Sequence, residues 1–434
     1  MIAVFLLIAC PGESHKSEVF LISDVLAEPS PEMGTVLKVT WTTATPVVSQ
    51  VAFGESETLT PLETEPSTSH EALVLGYGPE TDVELWVRAY TDTGSIVESP
   101  RLTVRTGSLP LGTPALELTG APTQNFLTLT LLGAATGPAI VNGAGEIIWF
   151  YQDDRGLDVY RARLSQDGQH IIYNAGSVSG DPADNSVLVK RSLDGATETL
   201  TPLPLLAHDF LELPDGTLTA IVVEYRDDVN GDPVRGDSLV EIAPDGTQTK
   251  VWDAWRCFDP AVDIGTDAEI GWTFANALDY LPDQDRYALS LRNFSTIIQI
   301  DRATGECVWS LGSTSADITP SGRTFLNQHQ FDFFDEDTLV LFDNSGSAEG
   351  SRALEYRLGD DSAEAVWSYL SDPPIDTFVL GDVARLDDGR TYVDFATGGQ
   401  VDLVQEDGTV DWRINSPLGY AMGFMVVETS LYRE

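Results

Sequence analysis

A short motif that ends in tryptophan recurs along the last three quarters of the chain. Each copy is a strand and an Asp- or Gly-containing turn, followed by a second strand that closes on the tryptophan. The copies end at Trp149, Leu200 (a weaker copy), Trp252, Trp309, Trp367 and Trp412. Successive copies lie 45 to 58 residues apart, and a period of about 40 to 50 residues with several strands per unit is typical of propeller blades. The repeat therefore predicts a β-propeller.

An apolar strand that runs into an acidic turn follows each copy. Six segments share the pattern: "YRARLSQDGQ", "HDFLELPDGT", "NALDYLPDQD", "HQFDFFDED", "DVARLDDGR" and "GFMVVE". In a propeller the innermost strand of each blade lines the central channel, and we assign these segments to that position. They predict six blades, and the residue that opens each strand is expected to face the axis where ligands bind. Because no segment shows sustained helical periodicity, the predicted class is all-β.

Short alternating strands with turn residues between them fill residues 18–106. Residues 36–41 and 83–90 show the period-two alternation of half-buried strands. A unit of this size predicts a small β-sandwich. The strand of Trp41, followed by "YGPETDVELWVRAYTDTG" and "VRTG", resembles a fibronectin type III-like domain. The Gly/Pro-rich residues 107–114 are the predicted linker, and residues 115–434 are the predicted six-bladed propeller.

An apolar run at residues 1–10 ends in Leu-Ile-Ala-Cys and resembles a bacterial lipoprotein signal. The resemblance implies that Cys10 is acylated, so residues 1–17 are predicted to be signal peptide, lipobox and tether. The run is too short to span a bilayer as a helix, whereas an acylated cysteine anchors a protein without one. We therefore expect an exported protein on the bacterial cell envelope, periplasmic or at the cell surface. Because the run lacks the usual preceding basic residues, another start position or another kind of signal is the alternative.

Acidic side chains far outnumber basic ones. The chain has 68 Asp and Glu against 24 Lys and Arg, a net charge of −44. Such a surface repels phosphate backbones and anionic membranes, which argues against a nucleic-acid partner. Because charges more than about 8 Å apart are screened at physiological salt, a small anionic substrate is compatible with this surface if its pocket is itself positive.

Two smaller features concern disulfides and metals. Cys257 and Cys307 are an even pair in an oxidising compartment and predict a disulfide, with two separate buried thiols as the alternative. Asp228, Asn230 and Asp232 have the spacing that starts a calcium loop, but the glutamate of an EF-hand does not follow. We interpret this segment as a turn, with calcium as the minor alternative, and predict no metal and no other cofactor.

Two of the five histidines occupy the same repeat position. His208 and His329 each open an inner strand, so both imidazoles are expected at one mouth of the channel, with strand capping as the alternative. Arg292, in "LSLRNFS", is expected where the next strand begins in the blade between them. A guanidinium that faces a channel binds carboxylate, phosphate or sulfate, and a salt bridge with a nearby acid is the alternative.

The segments that carry these residues resemble the arylsulfotransferase family of exported bacterial six-bladed propeller enzymes. They are "HDFLELPDGT", "GWTFANALDYLPDQDRYALSLRNFSTIIQIDRATGECVWSLG", "NQHQFDFFDEDTLVLFDN" and "SRALEYRL", in the family's order, and the resemblance runs from about residue 114 to the C-terminus. It implies sulfuryl transfer from a phenolic sulfate ester to a phenol through a sulfated histidine, without metal or nucleotide. The implied nucleophile is His329, the supporting histidine is His208 and the sulfate-binding arginine is Arg292. Imidazole is a competent nucleophile near neutral pH.

One position departs from the family pattern. Phe274 stands where the family has a further histidine, and a phenyl ring cannot protonate a leaving phenolate. If that histidine assists departure, its loss lowers activity roughly 100- to 10,000-fold. The phenyl ring can instead stack on an aromatic substrate, and we predict Phe274, Asn276 and Gln328 as substrate-binding residues. The alternative function is a non-catalytic surface lipoprotein whose propeller mouth binds a ligand or protein. A quinone-cofactor dehydrogenase is less favoured, because neither its repeat signature nor its ligand set is present.

Overall fold

The computed structural model describes residues 21–176, 185–266, 270–313, 315–344 and 349–433. The predicted lipidation site, Cys10, lies outside these residues. Within them, no helix is long and apolar enough to cross a membrane. The chain divides into two compact units, of which the smaller contains Lys38–Val74 and Asp82–Val104.

The N-terminal strands form one connected, curved sheet. In chain order they are β1 (Ile22–Pro29), β2 (Leu37–Phe53), β3 (Thr58–Leu59), β4 (Ser67–Val74), β5 (Asp82–Tyr90), β6 (Ile96–Glu98) and β7 (Leu102–Arg105). The 17-residue β2 pairs with β1, β3, β4 and β5, which explains why all seven strands belong to one network. The tryptophans of the two alternating segments, Trp41 and Trp86, are buried in it. Its assignment as a fibronectin type III-like domain stays a prediction.

The remaining described strands form six separate antiparallel sheets. They are β8 (Glu117–Gly120), β9 (Phe126–Leu132), β10 (Gly137–Val141), β11 (Ile147–Phe150), β12 (Ala162–Leu164), β13 (His170–Ala175), β14 (Val187–Ser192), β15 (Glu198–Pro202), β16 (Leu206–Glu212), β17 (Leu218–Asp227), β18 (Pro233–Ile242), β19 (Gln248–Asp253), β20 (Ala275–Leu281), β21 (Arg286–Leu291), β22 (Thr296–Asp301), β23 (Cys307–Gly312), β24 (Phe331–Asp335), β25 (Thr338–Asp343), β26 (Arg352–Gly359), β27 (Ser362–Leu370), β28 (Asp382–Arg385), β29 (Thr391–Asp394), β30 (Gln400–Val404), β31 (Val410–Asn415), β32 (Ala421–Met422) and β33 (Val426–Glu428).

These sheets are the six blades of the predicted propeller, which the structure confirms. Blades 2 to 5 are four consecutive strands each: β12–β15, β16–β19, β20–β23 and β24–β27. Blade 6 is β28–β31 with β8 added to its outer edge. Blade 1 is β9–β11, and the C-terminal β32 and β33 pair with its strand β9. The ring is therefore closed twice by strands from distant parts of the chain.

The recurring tryptophans lie in β11, β19, β23, β27 and β31, and each sits beside a β-bulge. In blade 1, Ile140 pairs with Trp149 and Val141 with Ile147, so the residue before the tryptophan is skipped. The same slip occurs at the other four tryptophans. Blade 2, which has Leu200, pairs without a slip. A bulge bends the strand and increases its twist, so the repeat marks where the outer strand turns.

Some of these indoles also connect neighbouring blades. Trp149 of blade 1 donates its Nε1–H to Leu193 O in blade 2 at 2.8 Å. Trp412 of blade 6 donates in the same way to Gly143 O in blade 1 at 2.9 Å. The tryptophan repeat is therefore an interblade contact as well as a packing residue.

All six blades also meet near the axis in one buried hydrogen-bond network. Arg161 binds Asp209 and Asp382 at 3.0 and 3.1 Å. Around this ion pair the network takes one residue from each blade: Met425, Arg161, Asp209, Leu278, Gln330 and Asp382, in blade order. Because one oxygen of Asp209 accepts from both Leu278 N and Gln330 Nε2, the network fixes the inner strands relative to each other. A cavity of about 520 Å³, lined by Asp279, Asp332 and Arg385 among others, lies towards the far ends of these strands.

Candidate active site

The structure brings His208 and the predicted aromatic residue Phe274 together where the inner strands begin. His208 is the third residue of β16, and Phe274 immediately precedes β20. Their ring centroids lie 4.8 Å apart, edge to face. His329 lies two residues before β24, and its charge contributes to the lowered pKa of His208. The equivalent repeat positions thus converge on one mouth of the channel.

His208 is placed by an irregular start of β16. Leu206 pairs with Val222 and Phe210 with Ala220, so the residues between them leave the regular ladder. Asn174 Nδ2 donates to His208 O at 2.9 Å and holds this bulge. The side chain of His208 is 6% exposed, and within the described part of the chain its Nδ1 has no hydrogen-bond partner. Burial, then the charges of His329, Arg235 and Arg292, hold the pKa of His208 well below its ordinary value. The imidazole is therefore neutral at neutral pH.

His329 is buried with one ring nitrogen held in place. Its Nδ1 lies 2.7 Å from Asn344 Oδ1. Asn344 Nδ2 donates to Thr377 O at 2.7 Å and to Leu380 O at 2.9 Å, which fixes the amide with its oxygen towards the imidazole. Nδ1 of His329 must then carry the hydrogen, so Nε2 carries the lone pair. Burial and the charge of Arg292 lower the pKa of His329 to about 3. The imidazole is therefore neutral, with its electron pair on Nε2, and the backbone of Asn327 also contacts the ring.

Arg292 lies at this mouth, although not at the position expected from the sequence. We predicted that it begins the strand after the inner one, but it follows the end of β21, in a 3₁₀ turn at Arg292–Phe294. Because β21 runs antiparallel to β20, its end lies beside the start of β20, where Ala275 pairs with Leu291. Arg292 is 8% exposed, and its guanidinium lies 5.6 Å from the Phe274 ring centroid.

Phe274 is held in a backbone conformation that bulky residues rarely adopt. Its φ is +51°, in the left-handed region. Asp237 Oδ2 accepts hydrogen bonds from Thr273 Oγ1 at 2.5 Å and from Ala275 N at 2.7 Å, one on each side of the phenylalanine. Phe274 O accepts from Arg292 N at 3.1 Å. Backbone strain that neighbouring groups over-determine is common at functional sites.

The other two predicted substrate-binding residues are buried between blades 4 and 5. Asn276 Nδ2 donates to Gln328 O at 2.8 Å. Gln328 Nε2 donates to Ser290 Oγ at 2.8 Å and to Thr296 O at 3.2 Å. Both side chains are 0% exposed. These bonds position the segment that carries His329, and direct substrate binding by Asn276 and Gln328 stays a prediction.

Three residues of the site were not predicted from the sequence: Arg235, Asp237 and Asn344. Arg235 and Asp237 belong to β18, and the Arg235 guanidinium lies 5.5 Å from the Phe274 ring centroid. Asn344 immediately follows β25. None of them belongs to the tryptophan or inner-strand repeat, and their chain positions do not show which way they point.

The structure also places the remaining predicted features. The Sγ atoms of Cys257 and Cys307 are joined in a disulfide, 2.02 Å apart. Asp228 Oδ1 accepts from Asn230 N and Asp232 N in a turn at the tip of the β17–β18 hairpin. Within the described ranges no group of three or more His, Cys, Asp or Glu is arranged to hold a metal ion, and calcium at this turn stays a prediction.

The fold and the site together define a β-propeller protein with a buried histidine–arginine centre at one end of its channel. The sequence matches the arylsulfotransferase (ASST) family over residues 122–399. This match covers more than half of the chain, and the protein belongs to that family. Membership supports a sulfotransferase-like function and implies phenolic substrates.

The solved structures that this chain is similar to are distant in sequence. A protein of unknown function from Bacteroides caccae is 13% identical, with 70% of this chain and 100% of that chain covered and a TM-score of 0.45. An auxiliary nutrient binding protein from Bacteroides ovatus is 10% identical, with 91% and 86% covered and a TM-score of 0.40. A streptogramin B lyase is 14% identical, with 68% and 86% covered and a TM-score of 0.40. Similarities this low support no functional argument. No curated protein matches the chain.

Proposed function

We propose that this protein is an aryl-sulfate sulfotransferase that moves a sulfuryl group from a phenolic sulfate ester to a phenol through a sulfated His329. The observation that carries the proposal is the hydrogen bond between His329 Nδ1 and Asn344 Oδ1. It leaves Nε2 with the lone pair that a nucleophile needs, in a site where burial and Arg292 keep the ring neutral.

In the first half-reaction the lone pair of His329 Nε2 attacks the sulfur of the donor. The N–S bond forms, the bond between sulfur and the aryl oxygen breaks, and the electron pair leaves with that oxygen as a phenolate. In the second half-reaction an acceptor phenol loses its proton to solvent, and its oxygen attacks the sulfur of the sulfohistidine. The S–N bond breaks, and the electron pair returns to Nε2.

Arg292 and His208 stabilise the transferring group in this proposal. A sulfuryl group carries its charge on three oxygens, so fixed donors and cations placed around it lower the barrier, as in phosphoryl transfer. The charge of Arg292 reaches both imidazoles, because it lowers the pKa of each. This supports the proposal that Arg292 contacts a group bound to His329. His208 lies beside Phe274 at the same mouth, and in this proposal its imidazole packs against the bound ester.

We also propose that the protein is exported and held to the membrane by a lipid on Cys10. The support for this comes from the sequence of residues 1–10. Metabolic labelling with a radioactive or alkyne-bearing fatty acid tests it, with Cys10→Ser as the unlabelled control. Absence of label from the wild-type chain in bacterial membranes contradicts the anchor.

The catalytic proposal is tested with the purified protein, 4-nitrophenyl sulfate and a phenol acceptor. We expect acceptor-dependent release of 4-nitrophenolate and an acid-labile sulfate on a tryptic peptide that contains His329. His329→Ala should abolish both. The matched control is His170→Ala, because His170 is a half-buried histidine of β13 that pairs with Asp167 away from the site.

A lack of turnover in the wild-type protein, with no sulfate on His329, contradicts the proposal. Tight binding of aryl sulfates without turnover then supports the alternative function, a propeller whose mouth binds a ligand. Phe274→His separates the two outcomes further, because it restores the family's third histidine. A gain of turnover in that variant shows that Phe274 limits the rate of a working enzyme.

A further inference from the structure

Arg235 is a cation of this site that the family motifs do not contain. It lies on β18, where the β17–β18 hairpin continues beyond the usual strand length, and pairs with Tyr225 of β17. Its Nη1 donates to Ile270 O at 2.7 Å, which turns the guanidinium towards the Phe274 segment. Among the described residues it forms no ion pair, although the chain has 68 acidic side chains for 24 basic ones. Arg235 lies within electrostatic range of Asp237, but a half-buried arginine without a direct ion pair among the described residues can bind an anionic ligand.

Among the described residues, the polar groups in ring or cation contact with Phe274 are His208, Arg235 and Arg292. The centroid of the His208 ring is 4.8 Å from that of Phe274, and the guanidinium carbons lie at 5.5 and 5.6 Å. His329 instead packs near Phe424, with ring centroids 6.3 Å apart. The site thus has a nucleophile side at His329 and a second side around Phe274.

The two arginines relate differently to the two histidines. Arg292 affects the pKa of both His329 and His208, whereas Arg235 affects that of His208 alone. Arg292 is therefore within electrostatic range of both imidazoles, whereas Arg235 lies beside the Phe274 ring and acts on His208. In a displacement at sulfur the attacking and departing atoms are roughly in line, as for phosphoryl groups. If the sulfuryl group binds between His329 and the Phe274 side, in-line attack by His329 Nε2 directs the departing oxygen towards Phe274 and Arg235.

We propose that Arg235 binds the departing phenolate oxygen and is a further catalytic residue of the sulfuryl transfer. The inference rests on the proposed function. The S–O bond breaks and its electron pair stays on the aryl oxygen, whose negative charge is met by the guanidinium instead of a transferred proton. An arginine is protonated at every working pH, so it stabilises a phenolate but does not protonate it. The phenolate takes its proton from solvent after release.

The remaining groups on this side leave no alternative source for that proton. Phe274 has no exchangeable hydrogen, and His208 is neutral at neutral pH because burial and nearby cations lower its pKa. Asp237 flanks the ring, but with a pKa of about 6 its carboxyl is mostly ionised at neutral pH, and its Oδ2 already accepts from Thr273 Oγ1 and Ala275 N. At neutral pH the leaving group is therefore expected to depart as an anion.

The test measures the first half-reaction with a series of aryl sulfates whose leaving phenols differ in acidity. For Arg235→Gln we expect a loss of roughly 100- to 1,000-fold with the most basic phenol, the size typical of one lost anion-stabilising donor. The loss should shrink as the phenol becomes more acidic, so the plot of log rate against phenol pKa becomes steeper. Arg235→Lys should recover part of the rate. Arg226→Gln is the matched control, because Arg226 lies on the same hairpin and pairs with Glu224 and Asp253.

A second measurement does not depend on turnover. 4-Nitrophenol bound to the His329→Ala protein is titrated by its visible absorbance, which reports phenolate. We expect the bound phenol to ionise at a lower pH than the free one, and the Arg235→Gln substitution to remove most of that shift.

The outcomes separate this inference from the proposed function. If wild type forms sulfohistidine but the slope and the bound-phenol titration are unchanged in Arg235→Gln, the role of Arg235 is wrong and the proposed function stands. If the wild-type protein forms no sulfohistidine with any donor, both are wrong.

Discussion

A buried histidine serves as a nucleophile only when its tautomer is fixed and its proton is absent from the attacking nitrogen. Asn344 meets the first condition, because its amide is locked by Thr377 O and Leu380 O. Burial and Arg292 meet the second by lowering the pKa of His329 to about 3. The reactive form thus persists well into acid.

The first prediction concerns the pH dependence of phenolate release. Because the pKa of His329 is lowered, its neutral form is complete above about pH 5 and is lost only as the pH falls towards 3. We expect the rate constant of the first half-reaction to be flat between pH 5 and 8, measured by stopped flow at the isosbestic wavelength of 4-nitrophenol. An acidic limb with an apparent pKa near 6.5 contradicts this environment for His329.

The second prediction concerns Asn344 as a positioning residue. Asn344→Asp places a carboxylate against Nδ1, which stabilises the imidazolium and raises the pKa of His329. We expect the acidic limb to move up into the range between pH 5 and 8. Asn344→Leu removes the acceptor, so the rate of sulfohistidine formation should fall roughly 100- to 10,000-fold through loss of the reactive tautomer. If both variants keep the pH profile and the rate of the wild type, Asn344 has only a structural role.

At the level of single residues, the sequence predicted those that a repeat or a family motif marks. His208 and His329 were found because they occupy the same place in two blades. Arg235 lies in no quoted motif, and Asn344 ends the family segment "NQHQFDFFDEDTLVLFDN" without its contact with His329 being predicted; both were missed for a physical reason. A side chain after a strand end, or on a lengthened hairpin, reaches the axis only through the three-dimensional path of its loop, and no spacing in the sequence encodes that path.

Among the structural elements, the segment before β20 has a strained backbone next to the site. A left-handed conformation costs an ordinary residue on the order of 1–2 kcal/mol, and Phe274 adopts it at φ +51°. Two hydrogen bonds to Asp237 and one to Arg292 N surround the residue. They hold the phenyl ring beside the guanidinium groups of Arg235 and Arg292, where it forms part of the wall of the site.

The third prediction concerns the hydrogen bonds that Asp237 accepts on each side of Phe274. Asp237→Ala leaves Thr273 Oγ1–H and Ala275 N–H without an acceptor, and each buried unsatisfied group costs about 1–3 kcal/mol. We expect a lower melting temperature and a slower first half-reaction. Asp237→Asn, the matched control, keeps one acceptor oxygen and should be milder on both measures.

The pH dependence of the melting temperature gives a second test, which compares the wild type with Asp237→Asn. Burial raises the pKa of Asp237 to about 6, so the folded protein binds this proton more tightly than the unfolded chain. Its contribution to stability therefore falls as pH rises from about 4 to 6. Asp237→Asn has no such proton, so its melting temperature should gain on that of the wild type across this window. A constant difference between the two means that Asp237 has an ordinary pKa.

The strands also show which structural features the sequence pattern did not predict. Alternation located the inner strands, and five of the six, starting with β12, β16 and β20, each form the first strand of a sheet. Arg292 was misplaced because "LSLRNFS" does not reveal that the strand ends at Leu291 and turns through 3₁₀ geometry. The bulge that starts β16 was likewise not visible, because register slips depend on pairing partners and not on one strand's own pattern.

In the whole molecule, the period of the repeat was sufficient to predict six blades, but closure of the ring was not predictable. Strand β8 completes blade 6, and β32 with β33 completes blade 1. Both pairings join residues that are hundreds of positions apart, so no local signal specifies them. They matter for the site, because Arg161 near the axis binds Met425 O from the C-terminal segment.

A covalent link also joins two neighbouring blades beside the site. Cys257 follows β19 of blade 3, and Cys307 opens β23 of blade 4, 50 residues later. The segment enclosed between them contains Phe274 and Arg292. A disulfide that closes a loop of this length removes entropy from the unfolded chain worth on the order of 4 kcal/mol.

The last prediction is that removing this link lowers stability more than activity. Cys257→Ser with Cys307→Ser should lower the melting temperature by several degrees, measured by calorimetry, because the unfolded chain regains the entropy of the open loop. The rate of sulfohistidine formation should change little at 25 °C, because the site is held by Asp237, Asn344 and the axial network. Cys10→Ser is the control for loss of a cysteine outside the pair. If both thiols alkylate in the native protein without reductant, and the double variant melts with wild type, the two cysteines are not bonded and the stability of blades 3 and 4 comes from packing alone.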